Sequence, residues 1–157
     1  MLYITEQVKH QVIEAGVLGF PQASFGFLLG FEKREIRIIE KMVLVDHPAT
    51  TGLTTPVTQK EQLDAALQGA EKGLSVLGMF FTLPNKPSTP DFIDYPDLPD
   101  YYSILLLSVW GGEFVNLQSW RKNRQYKTAE EKIAIVNARD YEPLTGNIDA
   151  PFTIHYN

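Results

Sequence analysis

The sequence predicts an α+β fold, in which a mixed and mostly antiparallel β-sheet is flanked by helices. Short apolar stretches rich in β-branched and aromatic residues alternate along the chain with two amphipathic helical segments. A Gly-Gly pair at 111–112 separates two of these stretches, as in a β-hairpin. The length of 157 residues, with 44% apolar and 21% charged residues, fits a single globular domain.

The first part of the chain supplies a helix and two strands. Thr5 is a helix-capping residue type, and the apolar residues after it recur at helical spacing, which predicts a helix from Thr5 to a stop at Gly16. Alternating and β-branched apolar residues predict strands over 25–30 and 35–45. A turn at 32–34 joins them.

The middle of the chain supplies a second helix and a central strand. Thr58 and Glu61 have the spacing of a capping box and begin a helix that Gly73 ends. Residues 74–83 then run almost without charge, as a buried central strand does. A stiff, proline-rich loop follows, and it contains four aspartates at every third position.

The last predicted elements are the two strands of the hairpin, over 103–110 and 113–121. A polar tail with two further prolines ends the chain. The order of elements (helix, two strands, helix, central strand, loop, hairpin) is what favours an α+β sheet with helices packed on it.

Composition excludes several functions. A net charge of −5 and a pI near 5.2 argue against nucleic acid and anionic membranes as partners. No apolar segment is long enough to span a bilayer and no signal peptide is recognised, so a cytoplasmic location is expected. There is no cysteine, and His10, His47 and His155 lie too far apart to form a local metal-binding pair.

Four segments carry a likeness to a known family, and these are Pro21–Gly30, Gly78–Pro84, Pro87–Asp94 and Leu117–Arg121. In order and spacing they resemble the JAMM/MPN (Mov34/PAD-1) family in its compact bacterial form. The resemblance implies one MPN/JAB-like (cytidine-deaminase-like) domain over residues 1–135. Residues 136–157 fall outside it and are predicted to form a C-terminal extension.

The resemblance also implies the positions of a catalytic site. Active members of the family are zinc isopeptidases or peptidases that often act on ubiquitin-like proteins or their tails. Their glutamate base falls at Ala23, their two histidine ligands at Phe81 and Leu83, an assisting serine at Asp91, and an aspartate ligand at Asp94. Only Asp94 keeps the residue type of the family.

These replacements remove the chemistry of the family. A catalytic zinc needs about three protein ligands and an open position for water, and neither a phenyl ring nor an isobutyl group has a lone pair to offer. With Ala23 in place of the base, the proton of that water has no acceptor. The sequence therefore predicts that zinc is not bound and that the family's hydrolysis is lost.

The leading hypothesis is a catalytically inactive domain that binds a protein or peptide, with a ubiquitin-like protein or its tail among the candidates. An edge strand near the degenerate site would pair with the ligand main chain. The candidate pocket residues are His47, Phe80, Thr82 and Tyr95. A simpler interpretation makes Phe80, Phe81 and Leu83 core residues.

Two alternatives stay open. One is a metal-dependent peptidase whose site is rebuilt from His47 and the acidic loop around Asp94. The other is a structural subunit that pairs with an active homologue, or with itself as a homo-oligomer.

Overall fold

The computed structural model describes residues 1–45, 59–90 and 98–137, together with the backbone of residues 154–156. In chain order the elements are β1 (Leu2–Thr5), α1 (Glu6–Gly19), β2 (Phe25–Lys33), β3 (Ile36–Leu44), α2 (Gln59–Ala70), β4 (Ser75–Pro84), β5 (Ser103–Trp110), β6 (Glu113–Lys122), β7 (Thr128–Glu131), β8 (Ile133–Val136) and β9 (Ile154–Tyr156). All nine strands belong to one mixed sheet, in the order β7-β6-β5-β4-β2-β3-β1-β8-β9. No helix among the described residues is long and apolar enough to cross a bilayer.

The sheet curls until its two sides nearly meet. β7 lies at one edge and β8 is next to the last strand at the other edge, yet only Lys132 separates them in sequence. One residue spans no more than about 3.6 Å, so the end of β7 and the start of β8 must be close in space. The carbonyl of Lys132 accepts a hydrogen bond of 2.8 Å from the backbone N–H of Leu2, beside the β1–β8 pairing.

Helix α1 lies against the concave face of this curved sheet. It packs on β1, β3, β4, β5 and β6, strands that together span most of the sheet. Its Val8 and Val12 are fully buried. Gly16 faces the sheet so closely that an added Cβ would come within 3.1 Å of side-chain atoms of Thr82 and Val109. A small residue is therefore needed where the helix crosses β4 and β5.

A second apolar cluster covers the opposite face of the central strands. It contains Phe25, Phe27, Met79, Phe81, Leu83 and Leu106, together with Ala65 of α2. Helix α2 packs mainly on β4 and β2, so this helix covers only part of the face. The central strands are thus apolar on both sides, which is why residues 74–83 show no alternation in sequence.

The predicted fold class, a helix-flanked α+β sheet of the MPN/JAB type, is wrong. The chain is mostly a nearly closed, barrel-like mixed sheet of eight strands, β7 through β8, with β9 paired to the outside of β8. The described residues contain only two short helices. The strands that close the sheet, β1, β7 and β8, have four residues each, which is too short for a period-2 pattern to stand out.

The longer elements agree better with prediction. Thr5 caps α1, with its side chain accepting a hydrogen bond of 3.1 Å from the backbone N–H of Val8. The helix runs on to Gly19, so the predicted stop at Gly16 is wrong. The β5–β6 hairpin is confirmed, and its Gly111 and Gly112 have φ of 59° and 86°. The capping box at Thr58 lies outside the described residues.

The proposed division of the chain at residue 135 stays a prediction. In the structure β8 continues through Val136, and residues 154–156 pair with β8 as β9.

Candidate functional site

The structure brings together the described part of the site implied by the family resemblance. Phe25 is paired with Phe81 on neighbouring strands, and continuing that register places Ala23 beside Leu83. The backbone N–H of Thr82 donates to the carbonyl of Ser24 at 2.8 Å, and the N–H of Ser24 donates to Thr82 Oγ1 at 2.6 Å. The three positions therefore lie together where β4 ends.

The side chains of Phe81 and Leu83 belong to the core, whereas Ala23 is half-buried. Phe81 is 6% exposed and Leu83 is fully buried, and the ring of Phe81 stacks on that of Phe25 with centroids 6.1 Å apart. Phe80 and Thr82, which were predicted to line a pocket, are fully buried as well. A ligand has no access to any of these four side chains in this structure.

The remaining predicted residues lie outside the described part of the chain. These are His47, Asp91, Asp94 and Tyr95. Within the described residues, no group of three or more His, Asp or Glu side chains is placed to hold a metal ion. That zinc does not bind stays a prediction from the residue types.

Strand β4 has no free edge beside Phe81 and Leu83. It pairs with β2 on one side, from Ser75 to Phe81, and with β5 on the other, from Gly78 to Pro84. An added strand needs unpaired backbone N–H and C=O groups. A partner strand must therefore dock elsewhere on the sheet.

An open side of the sheet lies on β6. One side of β6 is paired with β5 along most of its length, but β7 pairs only with residues 119–122. Within the described chain, residues 113–118 have no neighbouring strand on that second side. A cleft of about 430 Å³ adjoins this stretch and is lined by Leu117–Ser119 and Glu130–Ile133. We call the open side of residues 113–118 together with this cleft the seam.

Polar contacts hold the walls of the seam in place. The amide nitrogen of Gln118 donates to Glu130 at 3.2 Å, and the hydroxyl of Ser119 donates to Glu131 at 2.8 Å. These contacts orient both carboxylates beside Lys132, which is exposed. Towards the start of β6 the surface becomes apolar, with Phe114 39% and Val115 54% exposed.

The segment that follows β4 contacts both β6 and β5 and holds these two strands in place. Ser88 is buried, its hydroxyl donates to the side-chain oxygen of Gln118, and its carbonyl accepts a hydrogen bond of 2.9 Å from the indole of Trp120. Asn85 also donates its backbone N–H to the carbonyl of Val109 at 2.6 Å. The open strand is thus held in its extended form before any ligand arrives, which lowers the entropy lost on binding.

A buried cation ties the opposite end of the sheet together. Arg37 of β3 is 1% exposed and donates to the hydroxyl of Ser103 at 2.5 Å and to the carbonyls of Leu77 and Tyr101, both at 2.9 Å. Burial lowers the pKa of Arg37, and nearby Arg121 lowers it further. These contacts are with the protein itself, so Arg37 is a structural residue.

Sequence reasoning missed both the seam and Arg37. The exposed pair Phe114 and Val115 was a usable signal, because consecutive apolar residues at the start of a hairpin strand place one on each face. Arg37 had the weaker signal of a cation placed between isoleucines at the start of an apolar strand. Neither signal shows which strand edges are left unpaired.

The described part of the chain is therefore a nearly closed mixed sheet with a helix on its concave face and an open side on β6. No family model and no curated protein matches the sequence. Among solved structures, protein DSY2949 from Desulfitobacterium hafniense superposes with a TM-score of 0.72 at 20% identity, covering 87% of this chain and 94% of that one. A protein from Salinibacter ruber superposes with a TM-score of 0.65 at 19% identity, covering 99% and 98%. At such identities the likeness shows the fold alone.

Proposed function

We propose that this chain is a non-catalytic binding domain that takes up an extended segment of a protein partner along the seam. One observation carries the proposal: β6 is paired with β5 along most of one side, and on its other side no strand of the described part of the chain lies next to residues 113–118. Unpaired backbone groups on an ordered strand are a template for an added strand. A cytoplasmic location and a distant relation to the JAMM/MPN family remain part of the proposal.

The surface of the seam favours a partner of particular chemistry. Phe114 and Val115 offer exposed apolar surface to a partner strand, and Glu130 and Glu131 offer carboxylates at the other end. A segment that alternates apolar and basic residues satisfies both. The tail of a ubiquitin-like protein is one candidate. A second copy of this chain is a competing occupant that lacks this pattern, because residues 113–118 contain no basic residue.

A bulge makes this edge selective. Ser108 pairs with Asn116 and Val109 with Phe114, so Val115 is the extra residue and has no partner in β5. Bulges increase local twist and hinder indiscriminate edge-to-edge pairing. No residue of β5 lies opposite Val115, so a substitution there leaves every matched residue pair of β5 and β6 in place.

The first prediction uses this position. A soluble ten-residue peptide of alternating valine and lysine is titrated into the ¹⁵N-labelled full chain and followed by amide chemical shifts. The shifts should concentrate on residues 113–118. Val115→Pro should weaken binding at least tenfold, because proline cannot donate to an added strand. The control Val115→Thr keeps the N–H and β-branching and should bind like the original chain.

The result decides between the proposal and its competitors. Shifts centred on the end of β4, or equal affinity for the proline variant, would contradict a site at the seam. Sedimentation at increasing protein concentration identifies self-association, which Val115→Pro should abolish if a second copy is the occupant. Elemental analysis of protein purified without added metal should find zinc well below one ion per chain. Stoichiometric zinc with chelator-sensitive peptide hydrolysis would establish an enzyme instead.

A further inference from the structure

The turn between β6 and β7 is the most basic part of the chain. We define the basic hairpin as residues 121–128, which contain Arg121, Lys122, Arg124 and Lys127 and no acidic residue. The whole chain has 14 Lys and Arg residues and a net charge of −5, so removing these four cations leaves −9 on the remainder. The basic hairpin is therefore a local positive surface on an acidic molecule.

The loop of the basic hairpin has a fixed conformation. Asn123 Oδ1 accepts hydrogen bonds from the backbone N–H groups of Gln125 at 2.9 Å and Lys127 at 3.1 Å. The Asn123 N–H donates to the carbonyl of Lys127 at 2.8 Å, and its carbonyl accepts from the N–H of Tyr126 at 2.9 Å. A loop held by four hydrogen bonds presents its side chains in one arrangement.

Tyr126 has an unfavourable backbone conformation in this loop. Its φ is 60°, in the left-handed region that glycine adopts without strain, and its side chain is 74% exposed. An exposed ring gains little from packing, so folding alone does not account for tyrosine at this position. Strained residues of this kind are found at binding sites more often than elsewhere.

Two cationic residues close to Tyr126 in sequence are available to a partner. Lys122 is paired with Asp100 at 2.7 Å, whereas Arg124 and Lys127 are exposed and have no ion-pair partner within the described part of the chain. The two cations are complementary to carboxylates of a partner segment, and the exposed tyrosine ring can contact apolar side chains of the same segment.

We infer that the basic hairpin, with Tyr126 at its tip, binds an acidic segment of a protein partner. The rest of the chain, outside the basic hairpin, has a net charge of −9. This charge disfavours nucleic acid, because a polyanion longer than the hairpin is repelled by the residues around it. A short acidic segment contacts the hairpin alone. The inference stands on the hairpin itself and does not depend on strand addition at the seam.

The test uses three probes on the ¹⁵N-labelled full chain at low salt. A ten-residue glutamate peptide should shift the amides of residues 121–128, and raising the salt concentration should weaken its binding. A ten-residue lysine peptide should leave these amides unchanged. Tighter binding of a ten-nucleotide thymidine strand than of the glutamate peptide, or shifts confined to other regions, would overturn the inference.

Two variants separate specific docking from general attraction. Arg124→Glu combined with Lys127→Glu should reduce affinity for the glutamate peptide at least tenfold. The matched control, Lys9→Glu combined with Lys60→Glu, changes the net charge equally and should reduce affinity by less than twofold. Equal losses in the two double variants would overturn the inference.

Tyr126→Gly tests the strained position. It should weaken peptide binding several-fold while raising the melting temperature, because the backbone strain is relieved. A lower melting temperature would show that the ring stabilises the fold, and the assignment of Tyr126 to binding would then be wrong.

Discussion

Arg37 illustrates how a single side chain can hold separate parts of a sheet together. Its guanidinium satisfies a hydroxyl on Ser103 and the carbonyls of Leu77 and Tyr101, groups on or beside two other strands. Buried carbonyls without a donor are costly, since they have lost their hydrogen bonds to water. The cation therefore compensates for polar groups that the closing of the sheet would otherwise leave unpaired.

We predict that Arg37→Ala lowers the free energy of unfolding by about 3 kcal/mol or more, from two orphaned carbonyls and a cavity. Ser103→Ala removes one of the same hydrogen bonds and should cost about 2 kcal/mol, because the donor is a buried charged group. Urea denaturation followed by circular dichroism measures both. If the two variants lose equal stability, Arg37 does not have the role assigned to it.

For single residues, the sequence predicts which chemical groups are present better than it predicts where those groups lie in the structure. The absence of zinc ligands at Phe81 and Leu83, and of a base at Ala23, follows from residue types alone. Their burial does not, because Phe81 could equally have faced a pocket. The neighbouring strands and the stacked ring of Phe25 place it in the core.

Among the elements, β4 depends on close approach to its neighbour β5. Gly78 is the first residue of the β4–β5 pairing and lies opposite Ser103, whose carbonyl an added Cβ would strike. The same glycine pairs with Leu28 of β2 on the other side, so the backbone cannot shift freely to make room. A glycine is needed here for space.

We predict that Gly78→Ala destabilises the protein by about 3 kcal/mol or more, since backbone atoms must move in a fully paired strand. The control is Gly73→Ala, where φ is 70° and no atom lies within 4 Å of the added Cβ. It should cost only about 1 kcal/mol, from the unfavourable φ. Chemical denaturation compares the two, and a larger loss at Gly73 would contradict the packing argument.

Elements with a strong local pattern were predictable and short ones were not. Thr5 and the apolar stripe after it identify the start of α1, and the Gly111-Gly112 turn identifies the hairpin. The four-residue strands β1, β7 and β8 form because neighbouring strands supply partners. Their stabilising contacts are distant in sequence, so local patterns predict no strand at these positions.

For the whole molecule, the last strands complete the sheet. β8 pairs along all four residues of β1, and Ile135 packs with Leu2 and Ile4 in the core against α1. Without β8, the fully buried Leu2 and Ile4 would lose the neighbouring strand that covers them on one side. We therefore expect the closing of the sheet to be needed for folding.

We predict that a chain truncated after residue 127 does not fold, since β1 loses its β8 partner and burial of Leu2 and Ile4 contributes about 1.5–3 kcal/mol each. A chain truncated after residue 137 keeps β7 and β8 and should retain dispersed amide resonances. Comparing the two ¹⁵N spectra tests this. A folded shorter chain would show that the remaining strands suffice for the core.

The sequence by itself determined the longer helices and strands, the central apolar strand β4, and the lack of any zinc-binding group on Phe81 and Leu83. These follow from local periodicity, capping and the chemistry of single side chains. Only the tertiary structure decided that the sheet nearly closes, that Phe81 and Leu83 are buried, and that β6 keeps an open side next to a basic hairpin. These features depend on pairing between strands that are far apart in sequence. A strand edge is free only where no such strand pairs with it.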